Sequence, residues 1–184
     1  MASAGRYRLI VAEPCLCVAA CISMILESSG YTTIQSKIAS KLGVKVPQDA
    51  FPGQVPSGYQ TTECVREIGI KLDERAVNRF LEDAGFAIRA KYFDVRCLLD
   101  WQFEDCIREA VGSLAHVICG YDYDRIHGRD ACGVGHAAIV ASTGPGERVL
   151  LFDPGPRDCG VKEAWITDLR AAALAHDGGV MIFR

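Results

Sequence analysis

No apolar run in the 184 residues approaches the ~20 needed to cross a bilayer as a helix. Basic residues never gather into a block and the net charge is −3, which argues against a nucleic-acid surface. No C-x2-C or H-x3-H pair is present to complete a metal site, and no repeat or low-complexity tract divides the chain. A disulfide framework is missing too. The nine cysteines are an odd number, scattered at positions 15, 17, 21, 64, 97, 106, 119, 132 and 159. We read them as mostly reduced thiols of a cytoplasmic protein, several of them buried as small hydrophobes. What remains is a chain of 49% hydrophobic content, long enough for one sizeable core and most simply a single domain over residues 1–184. Nothing in it implies a cofactor, and it is silent on oligomeric state.

The stretch Glu13–Gly30, EPCLCVAACISMILESSG, organises the rest. Pro14 favours a helix start near Cys15 to Cys17, and no breaker follows until Gly30. Cys17 then lies in the first turn, where free N–H groups and the helix dipole favour a thiolate. Cys21 at i+4 and Met24 at i+7 continue the same side into the core. Cys15, directly after Pro14, competes with Cys17 for the helix N-terminus on chemical grounds. Arg6, Arg8 and the box Val18–Cys21 have some look of a lipoprotein signal, but Glu13 and Pro14 interrupt the apolar run. A C-x-C-x3-C metal site would need further ligands beyond Cys17 and Cys21.

Downstream, Thr32 or Thr33 caps an expected helix with Ile34, Ile38 and Leu42 on one face and Gly43 as its stop. Val46–Gln60 is rich in Pro and Gly and reads as an irregular excursion, either a binding loop or a surface insertion. Thr61–Ile68 reads as a short helix and Asp73–Ala84 as a longer one. A strand is expected over Phe86–Phe93, a helix over Leu98–Ala110 with Leu99, Phe103, Cys106 and Ala110 buried, and a strand over Ala115–Tyr123. A polar loop, Asp122–Gly133, follows. Gly135–Ser142 and Arg148–Phe152, joined by TGPGE, read as a hairpin ended by Asp153-Pro154-Gly155-Pro156. Ile166–Ala175, with Thr167 as cap, is helical, and Gly179–Arg184 is a closing strand. Helices first and mostly antiparallel strands later make an α+β arrangement.

A cysteine nucleophile needs a base that also returns a proton to the leaving group, and a third group to fix the base's tautomer. Of four histidines, His116 opens an apolar strand, His127 sits in the polar loop and His176 caps a helix. His136 starts a hairpin strand among small residues, and Asp153 ends the partner strand beside it. Cys17, His136 and Asp153 form an ordered catalytic set.

CVAACISMILESSG resembles the nucleophile helix of the papain-like bacteriocin-processing peptidases, the C39 family, and their stand-alone relatives. That helix reads C-G-x-A-C-L-x-M-[IV] with a later Gly. Cys17, Ala20, Cys21, Met24, Ile25 and Gly30 match, while Val18 replaces Gly and Ile22 replaces Leu. The family's second motif, a His opening a strand and Asp-Pro some sixteen or seventeen residues on, is similar to His136-Ala-Ala-Ile-Val and Asp153-Pro154. AVGSLAHVICGYD is similar to the stretch before that His. The family spacing favours Cys17 over Cys15. One departure stands out: papain-like enzymes carry an oxyanion-hole Gln about six residues before the Cys. Here Val11 occupies that place, and no Gln precedes Gln35.

The resemblance implies a papain-like fold, N-terminal helices packed on a mostly antiparallel sheet. It also implies a peptide or other acyl-donor substrate attacked by Cys17, with His136 as base and acid and Asp153 orienting it. Acyl transfer from the same thioester to an amine is an alternative to hydrolysis. A non-catalytic peptide-binding module is a third reading, favoured by the missing Gln and opposed by the retained Cys, His and Asp.

Overall fold

His116–Asp122 (β4) is buried at every position, as expected of a strand covered on both faces. It lies inside a six-stranded sheet of order β3-β8-β4-β5-β6-β7, in which every neighbouring pair is antiparallel. The other strands are Ala90–Asp94 (β3), Gly135–Thr143 (β5), Arg148–Asp153 (β6), Gly160–Trp165 (β7) and Gly179–Phe183 (β8). The computed structural model describes residues 4–51, 53–155 and 159–184. Pro52 of the Val46–Gln60 excursion and Pro156 of the DPGP turn lie outside the described residues.

Strand alternation separates two cores. Ile118, Ala137, Ile139, Phe152 and Met181 face helices α1 (Cys17–Ser28), α2 (Gln35–Leu42) and α3 (Glu74–Asp83). Val117, Cys119, Ala138, Val140, Leu151 and Ile182 face α4 (Asp100–Gly112) and α6 (Ile166–Ala175). This is the α+β arrangement expected from the sequence. Helix α1 goes further than its Cys17–Cys21–Met24 side suggests. Val18 through Leu26 are all buried, so the helix is interior on every side. Each such Leu or Ile contributes roughly 1.5–3 kcal/mol of apolar burial. Gly43 takes the left-handed conformation (φ 67°) that ends α2.

Several expectations are corrected. Neither Thr32 nor Thr33 caps α2; Ile34 holds the N-cap position without a side-chain bond and is 64% exposed. The excursion is framed by a short parallel pair, Lys45–Pro47 (β1) with Gln60–Thr62 (β2), and Thr61–Ile68 holds only a 3-10 turn, Val65–Glu67. The strand expected at Phe86–Phe93 begins at Ala90. In α4 the expected Phe103 and Ala110 are buried and Cys106 packs half-buried on the same core, joined by Ile107 and Val111, whereas Leu99, expected with them, is 61% exposed. The polar loop contains a single helical turn, Tyr123–Ile126 (α5), and Gly160–Trp165 is a strand the sequence reading left out. Thr167 makes no cap; Trp165 occupies that position. Among the described residues no helix is long and apolar enough to cross a membrane.

The N-terminal segment is pinned to β4 through His116, which is 6% exposed. Arg6 Nη2 lies 3.0 Å from Nε2, and an arginine can only donate, so Nε2 accepts. Nδ1 therefore carries the hydrogen and donates to the Tyr7 hydroxyl at 3.0 Å. Burial first, then the Arg6 charge, push His116 down to about 4 from 6.5. Between those values the unfolded chain binds a proton that the folded chain refuses, so stability falls as pH drops through the window. Urea unfolding from pH 7 to 4.5 should show this loss, with roughly 3 kcal/mol of it due to His116 at the acid end. His116→Asn should flatten the slope; an equal slope in parent and variant would contradict the neutral, Arg6-bound imidazole.

Candidate active site

Four residues before helix α1 make its approach. The Leu16 N–H donates to Glu13 O at 2.9 Å, closing a turn with Pro14 and Cys15 at its centre. Pro14 suits the first central position, and Cys15 takes φ 67° at the second, where glycine is usual in a type II turn. Such a left-handed cysteine costs on the order of 1 kcal/mol. Helix α1 then begins at Cys17, and the N–H groups of Cys17 and Val18 have no hydrogen-bond partner among the described residues. The turn thus leaves Cys17 half-buried at an open helix N-terminus. Burial and then the Cys17 charge push the Cys15 thiol up, so its thiolate is disfavoured.

His136 reaches the same place from the sheet. Register Ile139↔Phe152, continued by one pair, sets Asp153 opposite Ala138, two residues from His136 on the same face. The two side chains meet diagonally rather than directly across, with His136 Nε2 2.7 Å from Asp153 Oδ1. The carboxylate accepts, so Nε2 donates. Nδ1 is left as an acceptor, and Cys17 lines the same cleft as the ring. The rings of Tyr121 and Tyr123 stand edge-on to His136, with centroids 5.5 and 5.1 Å away. The structure therefore brings Cys17, His136 and Asp153 together, and leaves His116 and His127 out of this chain.

Asp153 is 1% exposed and accepts from three groups: His136, the Gly155 N–H at 2.8 Å and Lys162 Nζ at 2.9 Å. Burial works against its charge, but His136, Gly155 and Lys162 outweigh it and hold the carboxyl below its usual range. For His136, burial disfavours the imidazolium. The hydrogen bond to Asp153, then the influence of Cys17 and the field of both, outweigh burial and raise it to about 9. Lys162 escaped the sequence reading because β7 did; the alternation Val161-Lys162-Glu163-Ala164-Trp165 was the available signal. His176, assigned a capping role, is indeed the C-cap residue of α6, but its ring also lies against Gly135, in the space a side chain there would take.

Cys17, Val18, Gly135 and His136 open onto a cleft of about 970 Å3. Val11, at the place of the expected Gln, is 58% exposed and is not among its walls. Gln35 does not take over. Its Nε2 donates to Val11 O at 2.7 Å and its Oε1 accepts from the Glu13 N–H at 3.1 Å, so the amide is spent on holding the segment before the turn. Among the described residues, no group of three or more His, Cys, Asp or Glu side chains is disposed to hold a metal ion.

Two expectations follow. Cys15→Gly should relieve the left-handed strain, leaving stability unchanged or up to about 1 kcal/mol higher. Iodoacetamide should still label Cys17 and spare Cys21, which is fully buried with its thiol pushed well up by burial; loss of labelling in Cys15→Gly would transfer the reactive role to Cys15. Lys162→Met would strip one partner from a buried carboxylate and should lower stability by roughly 1–3 kcal/mol. Lys162→Arg should recover part of this, as read by denaturant melts at pH 7.

The chain shares its fold with a solved structure from Bacillus anthracis described as a candidate C39-like peptidase, at TM-score 0.64 and 13% identity. The match covers 96% of this chain and 94% of that one. No protein-family model matches the sequence, and no curated protein does. At this identity the likeness is one of fold, and the fold is the papain-like α+β arrangement of helices on an antiparallel sheet.

Proposed function

We propose that the protein is a cysteine peptidase-like enzyme that forms an acyl-thioester on Cys17. The observation that carries this is the buried His136–Asp153 hydrogen bond with Cys17 beside the same ring, Cys17 and His136 both lining one cleft. An isolated structural histidine has no need of a buried carboxylate on one nitrogen and a helix-end thiol on the other.

In the forward step the thiol proton passes first to His136 Nδ1, the imidazolium that its raised pKa favours at neutral pH, and the Cys17 Sγ thiolate attacks the acyl carbon. The imidazolium is held by Asp153, which keeps the ring oriented and stabilises its charge. The C–S bond forms and the carbonyl π pair moves onto oxygen. The free N–H groups of Cys17 and Val18 are the donors at hand for that oxyanion. Collapse expels the leaving amine, which receives the proton from His136. Water, activated by His136, then attacks the thioester and restores the thiol. An amine in place of water would give acyl transfer through the same intermediate, and the first half of the reaction is common to both.

The test is intact mass after incubation with an electrophilic or acyl-donor peptide. A single adduct on Cys17 is expected, absent in Cys17→Ala. His136→Ala should slow its formation by roughly 10²-fold or more, and Asp153→Asn by a comparable amount. Residues working as one unit are non-additive, so the double variant should be little slower than His136→Ala alone. Independent multiplicative losses would break the triad. A chain that binds peptide but never acylates would make it a binding module. Adduct decay in water against transfer to an added amine separates hydrolysis from acyl transfer.

A further inference from the structure

The cleft carries both signs of charge along its walls, but the two signs are not equally available. Every carboxylate there already accepts a hydrogen bond. Glu67 accepts from Lys45 Nζ at 2.7 Å and from Thr62 Oγ1 at 3.3 Å. Asp94 is bound by the backbone N–H and the guanidinium of Arg96, whose Nη1 also donates to Asp177 at 3.3 Å. Asp73 caps α3 through the Ala76 N–H at 2.7 Å, and Glu74 accepts from the Tyr92 N–H at 2.9 Å. These contacts consume Lys45 and Arg96. Three further cations on the walls, Arg66, Lys71 and Arg75, make no hydrogen bond or ion pair among the described residues.

Arg66 is the best placed of the three. Its Cγ and Nε pack 3.5 Å from the point where a side chain on Gly133 would begin. That glycine is held by its N–H to the buried Asp122 at 2.8 Å, and three residues later the chain reaches His136. The Arg66 charge also acts on His176, whose ring covers Gly135. Arg66 therefore belongs to the His136 end of the cleft. A general acid must touch the departing amine, so a side chain packed on the segment that delivers His136 faces the leaving-group half of a substrate.

We infer that the cleft selects acyl substrates whose leaving-group portion carries a carboxylate, an acidic peptide side chain, held by Arg66 with Lys71 and Arg75 continuing the cationic track. This rests on the thioester reading above. A basic segment would meet only carboxylates that already have partners, and a neutral one would leave three cations unmatched. An incoming carboxylate finds a planar guanidinium fork with free donors.

The experiment uses the full chain at low ionic strength and three peptides with one acyl half. They carry Glu, Gln or Lys beside the scissile bond on the leaving side, and release of the leaving peptide is followed by mass. Glu should exceed Gln by roughly fivefold, the scale of one partly exposed ion pair, and Lys should be slowest. Arg66→Glu should invert the Glu-to-Lys order and Arg66→Lys should keep part of it. Salt of about 0.5 M should shrink the preference, as screening of exposed charge requires. Equal release from all three peptides, or an order that survives Arg66→Glu, overturns the acidic preference while the thioester chemistry stands. No release and no Cys17 adduct with any peptide removes both.

Discussion

A carboxylate with 1% exposure keeps its charge only if the fold supplies its partners, and much of this sheet is arranged to supply those of Asp153. His136 requires the β5–β6 register that brings it diagonal to Asp153. The Gly155 N–H requires a tight bend directly after β6, and Gly155 makes it at φ 83°, where other residues are strained. Lys162 requires a further strand along β6, which is the position of β7. Loss of any one partner leaves the buried carboxylate short of a donor, at a cost of roughly 1–3 kcal/mol. Register, turn and edge strand are thereby tied to a single side chain.

Cys17 is coupled to that carboxylate by backbone as well as through the His136 side of the cleft. The turn after Asp153 accepts at Pro154 O from the Ala12 N–H, 2.8 Å away, in the segment that enters the Glu13–Leu16 turn. Gln35 clamps the same segment at Val11 and Glu13. One turn along α1, Cys21 Sγ donates to Ala137 O at 3.5 Å, next to His136. Both halves of the site are thus fixed to each other on either side of the Cys17–His136 contact. The proposed chemistry gains from such rigidity, because productive geometry is fixed before substrate arrives.

Local signals carried much of the sequence reading. The breakers Pro14, Gly30 and Gly43 bound two helices, and the apolar runs on either side of TGPGE mark the hairpin that delivers His136 and Asp153. Elements stabilised at long range were harder to see. The β1–β2 pair joins residues about fifteen apart across a Pro- and Gly-rich stretch, and three-residue strands have no period to detect. Edge strand β7 shows a half-exposed alternation beside a turn, so it reads as loop until β6 pairs with it. In α4 the spacing locates Phe103, Cys106 and Ala110 and misses at Leu99, which is apolar yet faces outward at the N-cap position; hydrophobicity alone does not determine orientation. The Cys15–Cys17 ambiguity needed the turn itself, since only geometry shows that one cysteine is strained and the other faces His136.

His116 and His136 make the same point about chemistry. Each opens a strand or nearly so, on adjacent strands of one sheet, and their exposures are 6% and 7%. Burial alone would make both neutral. His116 falls to about 4 while His136 rises to about 9, because the nearest charged partner is an arginine in one case and a carboxylate in the other. One imidazole is locked as an acceptor and serves as an anchor for the N-terminal segment. The other is bound to an ionised acid, which favours its protonated form, as the proposed proton transfer requires. What separates an anchoring histidine from a proton carrier here is the residue on the far side of the ring. For His136 that residue, Asp153, could be found in the sequence as the end of the partner strand, while Arg6 lies 110 residues from His116 and left no local trace.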